Sequence, residues 1–287
     1  MPGTLLITGS NGFIGSHLLR MFLEQGWKVT ALVHRVPEKK IPGVIYHESD
    51  LAAATIPPVA GTADAFIHCA YVKQEKNTDA FSANVNGTKK LLEFAGALHI
   101  PVKIFISSLS ATEHALSGYG RQKYELEKLF LADGGTVIRA GLVLGDGGLF
   151  GSMKNYLQRR SIVPLFGDGR QPVQTVFIDD LANVVVKVAN EKITGRYVIA
   201  EDRPVPYREF YAELCASLGV KPKFIRCSYG LAAFLVTLAG FAGMQLPVTK
   251  DNLSGLKQMA RVPSAADLEK LGVNIRTWKE SLAILKK

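Results

Sequence analysis

Eight residues near the start of the chain, Thr8-Gly9-Ser10-Asn11-Gly12-Phe13-Ile14-Gly15, constrain its fold more than any other stretch. They join the apolar run Thr4–Thr8 to Phe13–Gln25, where apolar residues recur at helical spacing until Gly26, a residue suited to a helix end. Each glycine has its own duty in such a turn. Gly9 permits the tight bend, Gly12 lets backbone approach a pyrophosphate, and Gly15 lets helix pack closely on strand. The N–H groups of the first helical turn then meet phosphate charge. A glycine triplet alone is a weak signal, but between a strand and a helix it predicts a dinucleotide cradle. The candidate contacts are Gly9, Asn11, Gly12, Phe13, Ile14 and Gly15.

The rhythm of the first half agrees. Short β-branched or apolar runs at Lys28–His34, Val44–Glu48, Ala65–Ala70, Val102–Ser107 and Thr136–Leu144 read as strands, with helices at Asn86–His99 and Tyr119–Leu131. Nearly continuous apolar strands alternating with helices predict an α/β, doubly wound parallel sheet of the Rossmann kind. After Leu144 two glycine-rich stretches, GDGGLFGSMKN and PLFGDGRQP, read as loops, and strand–helix–strand order returns over Val173–Ala200. The remainder reads as helical at Tyr207–Leu218, Tyr229–Met244, Leu253–Met259, Ala265–Leu271 and Thr277–Lys286. The expected organisation is a dinucleotide-binding domain over 1–200, its 145–172 loop facing a substrate cleft, and a smaller, mainly helical lobe over 201–287. The uncharged stretch Gly230–Met244 is shorter than the about 20 residues of a membrane span. It reads as a buried helix, with a greasy substrate pocket or contact with a membrane or partner as alternatives.

The formal charge of +9 invites a nucleic-acid reading, but the basic residues are dispersed and no nucleic-acid signature occurs. Cys69, Cys215 and Cys227 lack metal or CxxC spacing, as do His34, His47, His99 and His114, so no metal site is expected. Reduced thiols and a start without a basic n-region point to the cytoplasm.

Cofactor choice turns on the end of the second strand. Many NAD enzymes place an acid there for the ribose hydroxyls, whereas this strand continues into His34-Arg35. Arg35 suits the 2′-phosphate of NADP, which is therefore favoured with NAD kept open; a solvent-facing arginine is the alternative. Asp50 and Leu51 follow the third strand as candidates near adenine, and Ala70 closes the fourth beside His68 and Cys69, which are expected to line the cofactor cleft.

TGSNGFIG, Asp50-Leu51, the expected helix start Asn84-Val85-Asn86-Gly87-Thr88, Ser107-Ser108, Tyr119-Gly120-Arg121-Gln122-Lys123 and Val176–Ala182 together resemble the extended short-chain dehydrogenase/reductases, the NAD-dependent epimerase/dehydratase family. Leu246–Met259 and the C-terminal stretch resemble the atypical branch that holds the dinucleotide-binding accessory subunit of respiratory complex I. The resemblance implies a tyrosine acid/base, a lysine one turn later that stabilises the phenolate and holds the nicotinamide ribose, and a serine that orients the substrate oxygen. Two Tyr-x-x-x-Lys pairs compete, Tyr119/Lys123 and Tyr124/Lys128. At about 100° per residue, Leu126 and Phe130 fall within roughly 20° of Tyr119, so its face is the buried one and Tyr124, Lys128 and Arg121 face solvent. Tyr119 and Lys123 are the pair expected to act.

Ser108 best matches the serine, with Ser107 and Ser110 as competitors. The gap from Ser108 to Tyr119 is shorter than in the extended enzymes, which puts a nucleotide-sugar substrate in question. Asn84 reads as a structural or cofactor-side residue or as a helix N-cap, and one of Asp179 and Asp180 as the cap of a helix starting at Leu181. Arg139 and Arg170 are candidates for an anionic group or for salt bridges. Two functions follow. One is an NAD(P)-dependent oxidoreductase or epimerase/dehydratase acting on a carbonyl or alcohol of a small molecule, sugar-linked or apolar. The other is a non-catalytic NADP(H)-binding module that docks onto a complex or senses redox state. The resemblance also implies a homodimer pairing through the Tyr119 helix.

Overall fold

A computed structural model describes residues 2–59, 61–73, 79–234 and 249–286. They form two compact units. The first comprises 1–108, 122–139 and 178–197; the second comprises 109–121, 140–177 and 198–287.

The first unit is built on a sheet of β1 (Thr4–Thr8), β2 (Lys28–Val33), β3 (Val44–Glu48), β4 (Ala65–His68), β5 (Val102–Ser108), β6 (Thr136–Ala140) and β11 (Gly195–Ile199). Its strand order is β11-β6-β5-β4-β1-β2-β3. The order reverses beside β1, which pairs in parallel with β2 on one side and β4 on the other. Such a switch point leaves a crevice at the carboxyl ends of the strands, where α/β sheets take their ligands. Helices α1 (Phe13–Glu24), α2 (Ala80–Ala97), α3 (Gly118–Ala132) and α5 (Ile178–Glu191) belong to the crossovers. Leu6, Leu32, Phe66, Leu91, Phe105 and Phe130 meet in one core cluster. The predicted α1 is found, ending at Gln25 with Gly26 at φ +80°.

Three boundaries differ from expectation. Helix α2 starts at Ala80, because Asp79 caps it by accepting the Ser82 N–H at 3.1 Å. Asn84 therefore lies inside the helix rather than at its cap. Gly87, inside the helix, is there for close packing: an added Cβ would overlap the Leu51 carbonyl. Helix α5 starts at Ile178, so Asp179 and Asp180 occupy its first turn instead of capping a helix at Leu181. The expected strand Thr136–Leu144 is two, parted at Gly141. The Gly141 N–H donates to Ile199 O at 3.0 Å and Leu142 N–H to Gln174 O at 2.8 Å, and a Cβ at Gly141 would stand 2.6 Å from Gln174 O. Only glycine lets the backbone make that exchange.

The second unit pairs β7 (Leu142–Leu144) in parallel with β10 (Thr175–Phe177) and β8 (Ile162–Phe166) in parallel with β13 (Lys223–Cys227). Strands β9 (Pro172–Val173) and β12 (Val205–Pro206) are antiparallel. Its helices are α4 (Gly148–Arg160), α6 (Tyr207–Ser217), α7 (Lys250–Lys257), α8 (Ala265–Leu271) and α9 (Trp278–Leu285), beside a helical stretch at 229–234. The glycine-rich GDGGLFGSMKN is thus a helix entry rather than a loop. Gly147 caps it, and Phe150 and Leu157, two turns apart, bury one face. Part of PLFGDGRQP belongs to β8, whose partner β13 carries Lys223 and Arg226 and shows no strand alternation in sequence. Most of the apolar Gly230–Met244 stretch lies outside the described residues, which resume at Thr249.

Candidate active site

The turn after β1 is a cradle of backbone. Gly9 sits at φ +71°, and a Cβ there would stand 2.5 Å from Ala70 N, so the ends of β1 and β4 meet main chain to main chain. A Cβ at Gly15 would overlap the Gly9 carbonyl, while the Gly12 N–H closes the turn on that carbonyl at 2.9 Å. Gly12 caps α1 without a side-chain bond, and no acid lies in the first turn, so nothing there neutralises the helix dipole. The Ser10 hydroxyl is buried and has no hydrogen-bond partner among the described residues. Glycines that only backbone can fill, an uncompensated helix end and an orphaned hydroxyl fit the phosphates of a dinucleotide. Phe13 and Ile14 are half-buried at the helix start.

Asn11 ties the turn to the end of β2 by donating to Arg35 O at 2.9 Å, and the Arg35 side chain is exposed. Asp50 folds its own turn, its Oδ1 accepting from Ala52 N at 2.8 Å and Ala53 N at 3.2 Å, and Leu51 packs against Gly87.

Beneath the crevice lies a polar cluster that sequence spacing does not reveal. Lys123 is 4% exposed; its ammonium donates to Ile106 O at 2.8 Å and stands 4.5 Å over the Phe105 ring and 5.6 Å over Tyr71. Burial pulls its pKa down to about 8, opposed by Cys69 and Glu127. His68 is fully enclosed rather than lining a cleft. Its Nδ1 lies 2.7 Å from Thr8 Oγ1 and its Nε2 3.0 Å from Thr88 Oγ1, with Phe105 and Phe130 stacked beside it. Burial, then the Lys123 charge, lowers its pKa to about 3, so it is neutral. Burial pushes the Cys69 thiol up to about 12, with the Lys123 charge opposing the rise.

Of the competing serines, Ser107 is committed to structure. Its hydroxyl donates to the buried Glu127, which also takes Arg139 Nη2 at 2.6 Å. Arg139 is therefore a salt-bridge residue, and Arg170, 3.5 Å from Asp168, is an exposed one. Ser108 closes β5 half-buried, and half-buried Ser110 packs its carbonyl against Gly120. Asn84 is a clasp: it accepts from Val72 N at 2.8 Å and donates to Val72 O, Ala80 O and Gln122 Oε1.

In α3 the two lysines differ in burial, while Tyr119 and Tyr124 are both half-buried. Leu126 and Phe130 are fully buried with Lys123, whereas Lys128 is exposed and paired with Glu125. Tyr119, half-buried in the first turn, has its N–H 3.3 Å from Asp251 Oδ2. Asp251 and the unpartnered Ser10 escaped sequence reasoning, since no local pattern marks either. Among the described residues no group of three His, Cys, Asp or Glu is placed to hold a metal, and no helix is long and apolar enough to cross a membrane.

The profile of the NAD dependent epimerase/dehydratase family matches residues 5–200, more than half of the chain. The chain belongs to that family. It is an NAD(P)-dependent enzyme of the oxidoreductase or epimerase type, and its family uses a nicotinamide cofactor. Among curated relatives it is 27% identical over 238 residues to a ceramide reductase of Caulobacter vibrioides, covering 78% of this chain and 73% of that protein. It is 26% identical over 250 residues to a 2-alkyl-3-oxoalkanoate reductase of Stenotrophomonas maltophilia, covering 75% and 76%. The fold matches that of the Bordetella bronchiseptica enzyme WbmH, solved with NAD+, at a TM-score of 0.71 and 16% identity over 99% of this chain and 97% of that one.

Proposed function

We propose that this family member is an NADP(H)-dependent oxidoreductase for an apolar carbonyl or alcohol, with Tyr119 as acid/base, Lys123 as its electrostatic partner and Ser108 orienting the substrate oxygen. The observation that carries the reading is the buried Lys123 ammonium, one helical turn from Tyr119. A phenol titrates near pH ~10 in water, and a desolvated cation nearby stabilises the phenolate and brings proton exchange toward neutral pH. The Tyr119 phenol then gives a proton to the substrate oxygen in reduction and takes it back in oxidation. A nicotinamide, when bound, would supply or accept the hydride. Gly9, Asn11, Gly12, Phe13, Ile14 and Gly15 hold the pyrophosphate, Arg35 the 2′-phosphate, and Asp50, Leu51 and Ala70 border the adenosine side.

Arg35 beside the cradle, with no acid ending β2, supports NADP over NAD. An apolar substrate is supported by the names of the ceramide and 2-alkyl-3-oxoalkanoate reductases and by the uncharged 230–244 stretch. In this reading cofactor binding resides in 1–200, substrate selection in 201–287, and the enzyme acts in the cytoplasm.

The test is titration of cofactor-stripped protein with NADPH and NADH, followed by fluorescence. NADPH binds more tightly, and Arg35→Ala weakens it about tenfold or more, as loss of a charge-assisted pair implies. Equal or tighter NADH binding overturns the Arg35 assignment. NADPH oxidation is then followed with a 2-alkyl-3-oxoalkanoate and with UDP-glucose. Tyr119→Phe lowers turnover about 10²-fold or more with NADPH binding intact; unchanged turnover removes Tyr119 from the chemistry.

A further inference from the structure

The first turn of α3 is satisfied from outside the helix. The α3 sequence has no acid in its first turn. Ser117 Oγ accepts the Gly120 N–H at 3.0 Å, which leaves the Gly118 and Tyr119 N–H groups to find acceptors elsewhere. Both find the carboxylate of Asp251, Gly118 at Oδ1 and Tyr119 at Oδ2. An anion at this end also offsets the positive pole of the helix dipole. Seven residues later Gln258, the C-cap of α7, holds the approach to that turn. Its Oε1 accepts Leu116 N–H at 2.6 Å, and its Nε2 donates to His114 O at 2.8 Å.

The brace is itself secured. Thr249 and Asn252 form a reciprocal capping box at the start of α7. Leu253 is buried against Phe166 and Ala232. On the other side, Gly120 is pressed so closely on Ser110 O and Ala115 that a Cβ would overlap them. The first turn of α3, which carries the half-buried Tyr119, is thereby held from two directions.

We propose that Asp251 and Gln258 are positioning residues for Tyr119, forming a strap that fixes the 114–119 segment so the phenol is presented in one orientation. This rests on the reading of Tyr119 as the acid/base. Proton exchange with a bound substrate needs its atoms in near-attack geometry, and a misplacement of about 1 Å costs up to about 10²-fold in rate. A helix start left without its cap frays, and α3 would lose its orientation where Tyr119 sits.

The experiment uses the full chain saturated with NADPH. Amide hydrogen exchange is read on a peptide spanning 114–121, with the 4–24 peptide as internal control. Turnover of a 2-alkyl-3-oxoalkanoate is read beside it. Asp251→Ala speeds exchange in 114–121 about tenfold or more and leaves 4–24 unchanged. It lowers kcat about tenfold or more while KM and NADPH affinity change less than about threefold. Asp251→Asn, which keeps one acceptor, falls between, and Gln258→Ala repeats the pattern more weakly if Asp251→Ala does not fold. Unchanged exchange in 114–121 overturns the strap. Faster exchange with kcat unchanged overturns its role in positioning. If Tyr119→Phe itself retains full turnover, the acid/base reading fails, and the exchange data still judge the strap alone.

Discussion

Lys123 shows how a single residue can be costly to the fold and useful to the site. Its buried ammonium donates to Ile106 O and lies over the faces of Phe105 and Tyr71. Burial lowers its pKa to about 8, so the folded state holds the proton less tightly than the unfolded chain does. The destabilisation is full below about pH 8 and fades as pH rises toward the unfolded value of about 10.4. Lys123→Met is therefore expected to raise stability by about 1–3 kcal/mol at pH 7 while abolishing turnover. In urea melts the gap to the native chain narrows between pH 8 and 10; a variant that is less stable at pH 7 contradicts the desolvation argument. His68 was recognisable as a histidine ending a strand, but its enclosure between Thr8 and Thr88 joins residues far apart in the chain.

Among the elements, those governed by local periodicity were legible. The face of α3 follows from 3.6-residue spacing, and Leu126, Phe130 and Lys123 lie where that spacing puts them. Helix α2 was less so, because its start is set by Asp79 and its second turn holds a polar side chain, Asn84, that local propensity counts against a helix. Asn84 survives there because Val72, Ala80 and Gln122 saturate its amide. Asn84→Ala leaves the Val72 N–H and carbonyl without their partner. It is expected to destabilise by about 2–4 kcal/mol, read as a lower urea midpoint at constant slope. A change under about 0.5 kcal/mol would mean that water replaces the clasp. The split at Gly141 was hidden for a related reason: β6 and β7 are a single apolar run until Ile199 and Gln174 claim the backbone on either side.

At the scale of the whole molecule, a net charge of +9 gives a positive field that attracts a phosphorylated cofactor. Raising salt from about 0.05 M to about 0.5 M shortens the screening length several-fold, and NADPH affinity is expected to fall about tenfold, more than NADH affinity does. Equal salt slopes for the two in fluorescence titration would mean that the 2′-phosphate meets no cation. The sequence alone determined the dinucleotide fold and its family, because a glycine turn between strand and helix and the alternation of β and α are local patterns with few alternatives. It also singled out the face of α3 that carries Lys123, since helical periodicity is local as well. Only tertiary structure decided which serine is committed to Glu127, that His68 is enclosed, that β13 pairs with β8, and that Asp251 caps the turn bearing Tyr119. Those outcomes depend on hydrogen bonds and burial between residues distant in the chain, where partners are chosen by the packed fold rather than by neighbours in sequence.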